Sequence, residues 1–141
     1  RIFYAQLGGF DVHGAQIQTQ RTLLDNLSRS VGDFFDDLRE NSGSEEVIMM
    51  IFSEFGRRIK DNGNGTDHGS GGGTFLIGDR VKGGFYDPYP SLAPEDQLDG
   101  DMHFSHDFRS IYSTVLEQWL DLNPNPIVNG TFDQFENVFN I

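Results

Sequence analysis

The run Ile2-Phe3-Tyr4-Ala5-Gln6-Leu7 is apolar and aromatic enough for a buried strand, and Gly8-Gly9 mark its end. After the loop Phe10–Gly14 the pattern changes period. Leu24, Leu27, Val31, Phe34, Phe35 and Leu38 recur at steps of mostly three and four, which predicts one amphipathic helix over residues 16 to 40. Asn41-Ser42-Gly43-Ser44 stops it. Val47-Ile48-Met49-Met50-Ile51-Phe52 is then apolar without interruption, the signature of a parallel strand covered on both faces. A Gly-rich stretch, Asn62 to Gly73, reads as loop, and Thr74–Gly78 as a short third strand. Gly83–Pro90 is turn and loop. A second helix shows in the apolar face Phe108, Ile111, Tyr112, Val115, Leu116, Trp119 and Leu120, with Asp107 at its start and Pro124 and Pro126 beyond it. Phe132, Phe135, Val138 and Phe139 fit a short closing helix.

Strand, helix and strand with short connections predict a βαβ unit with a right-handed crossover. The expectation is an α/β chain, residues 1–141 forming part of one domain. Two or three strands with flanking helices leave sheet edges unpaired. Arg1 also leads directly into the first strand, with no start Met or signal peptide before it. Both features predict a fragment of a larger sheet, completed by a missing N-terminal half of the same protein.

Charge narrows the partners. Acidic residues outnumber basic ones by 22 to 10, giving a formal charge of −12. That surface suits neither nucleic acid nor an anionic membrane, both of which call for basic patches, and it offers sites that attract cations. No apolar run approaches the ~20 residues of a membrane span. Cys is absent, which excludes disulfides and thiolate metal sites.

In open α/β sheets ligands gather beyond the carboxyl ends of the strands, where the polar clusters of this chain fall. Asp11 and His13 follow the first strand. Ser53-Glu54-Phe55-Gly56-Arg57 follows the second, and Gly65-Thr66-Asp67-His68-Gly69 comes soon after. Carboxylate oxygens and imidazole nitrogens ligate zinc, and carboxylates also suit manganese or calcium. Asp11, His13, Glu54, Asp67 and His68 are therefore the candidate metal ligands. Arg57, with its planar fork, is the candidate catalytic residue for an ester oxyanion. Taken singly each has an ordinary structural reading: Asp11 as a helix cap, Glu54 paired with Arg57 or Arg58, a solvated loop His. Their coincidence at one sheet edge is what favours a site. His103 and His106 lie just before the second helix, where a solvated or capping role is the simpler reading. Asp61–Gly72 departs from a calcium loop at its third and twelfth positions, and Ser53 lacks the preceding glycine of a nucleophile elbow.

Gly8-Gly9-Phe10-Asp11-Val12-His13-Gly14, Phe52–Arg57, Gly65–Gly69 and Asp107-Phe108-Arg109 with Tyr112 and Trp119 together resemble the exported bacterial family of domain of unknown function 1501. The likeness covers nearly the whole chain, in the family's order. It implies the C-terminal part of an alkaline-phosphatase-like sheet with flanking helices, in a superfamily that uses metal to hydrolyse or transfer phosphate and sulfate esters. By that likeness Asp11 and His13 stand where the superfamily has an Asp and a His after a strand, Asp67 and His68 resemble its Asp-His pair, and Glu54 rivals Asp67. The nucleophile would lie in the absent upstream half. The resemblance further implies a periplasmic or extracellular location.

Two functions are expected from this. One is a metal-dependent hydrolase of small anionic phosphate or sulfate esters, inactive as this fragment alone. The other is an exported binding or structural protein on a catalytically degenerate fold, suggested by the close spacing of Asp11 and His13. It predicts a closed, hydrogen-bonded polar cluster.

Overall fold

The computed structural model describes residues 1–140, and its longest element is the helix α1, Gln16–Glu40. The bounds agree with the periodicity. Leu23, Leu27, Val31 and Leu38 are half-buried and Phe35 is fully buried, while Leu24 and Phe34, one step round the helix, stay exposed. No side chain caps its start. Ala15 sits there in the left-handed region, φ 50°, and its N–H donates to Asn64 Oδ1 at 3.0 Å. At the other end Arg39 donates from Nη2 to Asp79 at 2.7 Å, tying the last turn to a distant loop.

The sheet differs from expectation. Strand β1, Met49–Ile51, pairs with β4, Phe75–Ile77, antiparallel and in the register Met50↔Leu76. Residues 2–7 are not a strand. They run unpaired, with Ile2, Phe3, Tyr4 and Leu7 all exposed, so no βαβ unit forms. An apolar run reports burial on both faces, and it carries no information on which segment supplies the neighbouring backbone or in which direction. The architecture is α/β, with two small antiparallel sheets rather than a parallel one.

The sequence pattern does not show the second sheet, one strand of which falls in the Gly-rich stretch that reads as loop. Strands β2, Gly56–Asp61, and β3, Thr66–Gly69, form a hairpin with Arg57 opposite His68. Its turn, Asn62-Gly63-Asn64-Gly65, closes by Asn62 N–H donating to Gly65 O at 2.8 Å, and Gly63 takes φ 96°. At Gly56 a Cβ would lie 1.7 Å from Gly71 O, so only glycine lets the two backbones approach.

Helix α2, Phe108–Thr114, begins where the sequence placed it, with Asp107 accepting from Arg109 N–H at 2.9 Å as its cap. It continues as a π turn over Val115–Trp119, and a short helix α3, Asn125–Val128, follows. The expected closing helix over 132–139 does not form. That segment returns extended, with Val81 bridged to Phe139 and Lys82 N–H donating to Val138 O at 2.8 Å. Phe132 and Phe135, three apart, fit either conformation. Buried Thr114 decides, since its hydroxyl accepts from Phe135 N–H at 3.0 Å. The closely packed interior is small: Phe35, Pro124, Val128 and Val138 are buried, together with the polar Ser44, Ser110, Ser113 and Thr114. No helix among the described residues is long and apolar enough to cross a membrane.

Candidate metal centre

The hairpin holds the loop that precedes α1. Arg57 reaches across with both terminal nitrogens: Nη1 donates to Thr66 O at 2.6 Å and Nη2 to Phe10 O at 2.7 Å. Gln16 Oε1 accepts from Thr66 N–H at 2.5 Å and from its hydroxyl at 2.9 Å. Asn62 Nδ2 donates to His13 O at 3.4 Å. These bonds fix the backbone on either side of Asp11 and His13 against the strand that carries Asp67 and His68.

Three donor atoms converge as a result. His13 Nε2 lies 2.8 Å and His68 Nε2 2.7 Å from the same oxygen, Asp11 Oδ1, and the two imidazole centroids are 4.9 Å apart. Phe55 stacks on the His68 ring at 4.0 Å and 7°, which holds its plane. The three ligand atoms all lie within 4.8 Å of one another, and the group is exposed to solvent. On its far side His13 offers Nδ1 to Asp67 Oδ1 at 3.3 Å, and Asp67 is held in turn by Asn62 Nδ2 at 3.1 Å.

The electrostatics follow from these contacts. The hydrogen bond from His68, then that from His13, keeps the Asp11 carboxyl below the ordinary value of 3.8. Asn62 first, then His13, does the same for Asp67. Both carboxylates therefore stay ionised at pH values where a free Asp begins to protonate. With neutral imidazoles the cluster carries two negative charges, a setting that draws cations.

The donor set fits a metal of the zinc type. Zinc takes imidazole nitrogen and carboxylate oxygen at about 2.0–2.2 Å, which places neighbouring ligands of a tetrahedron roughly 3.3–3.5 Å apart. The spacings of 2.7 and 2.8 Å are hydrogen-bond spacings. A metal held by all three would need Asp11 to stand back from both imidazoles, and the three side chains are exposed.

The remaining candidates fall elsewhere. Glu54 is exposed in the bend between β1 and β2, and its carboxylate is not part of the converging group. Arg57, expected to bind an ester oxyanion, has both Nη atoms on backbone carbonyls and its Nε buried without a partner. Here it clamps the loop to the hairpin. His106 pairs with Asp87 at 2.6 Å, with Ser105 donating to the same oxygen at 2.9 Å, and His103 Nδ1 lies against Phe104 O at 3.0 Å. Neither joins the cluster. The sequence reading missed Asn62, Asn64, Gln16 and Phe55. The signal for the first two was present: Asn-Gly is a strong hairpin-turn pair, masked by the glycines around it.

The family described as protein of unknown function DUF1501 matches residues 1–118. The chain belongs to that family. The matched span contains every residue of the cluster and of the hairpin that positions it. No curated protein and no solved structure matches the chain.

Proposed function

We propose that Asp11, His13 and His68 hold one divalent metal ion and that this member of the DUF1501 family serves the hydrolysis of small anionic phosphate or sulfate esters. The observation that carries the reading is the aim of two imidazole Nε2 atoms at one carboxylate oxygen. Two nitrogens and an oxygen favour zinc, with manganese next, over calcium, which prefers a shell of oxygens. A bound metal supplies Lewis acidity toward an ester oxygen. The chain's own part is to keep Asp11 ionised, to hold the His68 ring flat against Phe55, and to keep His13 in place through Arg57 and Asn62. The three side chains are exposed, so a substrate could approach a metal held there from the solvent side. The exposed apolar side chains of Ile2, Phe3, Tyr4, Leu7 and Phe75 support an alkaline-phosphatase-like sheet of which β1 and β4 are one part, with the nucleophile on another. The family resemblance is the ground for a periplasmic or extracellular location.

A second reading has its own support. Asp11 Oδ1 already receives both imidazoles at hydrogen-bond distance, the closed polar cluster expected of a binding or structural protein on a degenerate fold. Metal analysis of the purified chain after dialysis against zinc or manganese separates the two. The hydrolase reading expects about one ion per chain and its loss in His68→Ala, with aryl phosphate or sulfate turnover in the full-length protein falling in parallel. Absence of metal in the wild-type chain leaves the second reading.

A further inference from the structure

We propose that Asp67 is not a ligand but a positioning residue, which sets the tautomer of His13 and through it the strength of the metal site. The inference rests on the metal reading above and deepens it. An imidazole can give a metal only a nitrogen that has released its proton, and in the neutral ring the other nitrogen must keep its own. The two nitrogens of His13 face different carboxylates. Nε2 points at Asp11 Oδ1, in the converging group, and Nδ1 points at Asp67 Oδ1 on the opposite side of the ring. An Nδ1–H donated to Asp67 leaves the Nε2 lone pair aimed at the point that His68 Nε2 also faces. The Asp67 carboxylate contributes no atom to the group of donors lying within 4.8 Å of one another.

Asp67 is itself placed by the hairpin. Asn62 Nδ2 donates to its Oδ1 at 3.1 Å and lies 3.4 Å from His13 O, while Asn62 N–H closes the hairpin turn on Gly65 O at 2.8 Å. One side chain at the turn thus holds both the carboxylate and the backbone of the histidine it orients. A carboxylate that accepts the distal N–H of a ligating His fixes the ring and makes its other nitrogen a stronger donor. At 3.3 Å the contact is long for a hydrogen bond.

The experiment loads the full chain with cobalt(II), measures affinity by competition with a chelator, and records the visible ligand-field bands. Asp67→Ala is expected to weaken binding roughly 10–100-fold while the bands of the bound ion keep the position and intensity of the wild type. His68→Ala, which removes a ligand, is expected to change the bands as well. Asp67→Asn keeps the shape and the bond from Asn62 but loses the charge. Its affinity is expected to lie between those of the wild type and Asp67→Ala, which guards against a folding defect in the alanine variant. In the zinc-loaded wild type, the His13 Nδ1 proton is expected to appear in the ¹H–¹⁵N spectrum as a slowly exchanging signal, and to be lost from it in Asp67→Ala. Unchanged affinity in both Asp67 variants, with metal still bound by the wild type, overturns this inference alone. Bands altered as in His68→Ala make Asp67 a ligand and also overturn it. A wild-type chain that binds neither cobalt nor zinc ends both this inference and the metal reading beneath it.

Discussion

At the scale of single residues, the most strongly perturbed carboxyl is not in the candidate centre but at the start of α2. Asp107 takes two hydrogen bonds from the Arg109 guanidinium, at 2.8 and 2.7 Å, and one from its backbone N–H, which together lower its pKa to about 2. A depressed carboxyl stabilises the fold above its unfolded value of 3.8, and that contribution fades as pH falls through about 2. Urea titrations of wild type and Asp107→Asn at several pH values are expected to show a gap in stability that is constant above pH 3.8 and closes toward pH 2. A gap that stays constant over that range would show that the ionised carboxylate contributes nothing. The Arg109 cation also lies 4.1 Å over the Phe132 ring, so the same pair links the helix start to the C-terminal segment.

At the scale of elements, the hairpin β2–β3 does more for the centre than any other piece. It bears Asp67 and His68, supplies Arg57 and Asn62 as anchors, and depends on glycine where the chain returns past itself. Gly56→Ala places a methyl where Gly71 O now sits, and backbone cannot yield as a flexible side chain does. The expected cost is about 1–3 kcal/mol or more, as for other insertions into filled space, with a displaced His68 and weakened metal binding. Thermal melts and the same cobalt titration check it. Wild-type values in both would mean that the strands can separate at no cost. Legibility also divides at this scale. Helix α1 was readable because its periodicity and its stop signals are local. The partner of β1 was not, because strand pairing joins residues far apart and an apolar run fits any neighbour. The hairpin went unseen because Arg57-Arg58-Ile59-Lys60 and Thr66-Asp67-His68 are polar, and their strand geometry comes from pairing rather than from propensity.

For the molecule as a whole, a small interior contrasts with a wide apolar exterior. Ile2, Phe3, Tyr4, Phe75, Phe85 and Phe108 are all exposed, while a formal charge of −12 opposes close association of copies. With so few buried apolar side chains, each carries a large share of the stability. Phe35, 3% exposed on the inner stripe of α1, is expected to cost about 3–5 kcal/mol as Phe35→Ala, much of the ~5–15 kcal/mol typical of a domain. Urea unfolding followed by far-ultraviolet dichroism measures it. A loss under about 1 kcal/mol would mean that α1 is not anchored through this residue.

By itself the sequence determined helix α1, the start of α2, the polar clusters and the residue types able to hold a metal, because helical periodicity, capping and ligand chemistry are properties of neighbours along the chain. It also carried the family, through motifs that keep their order. Only the tertiary structure decided which of the candidates meet. Asp11, His13 and His68 converge, Asp67 stands behind His13, Glu54 lies apart and Arg57 binds backbone. The reason is physical: convergence of side chains from residues more than fifty positions apart is set by a hairpin register and a few long-range hydrogen bonds, and neither leaves a periodic trace in the chain.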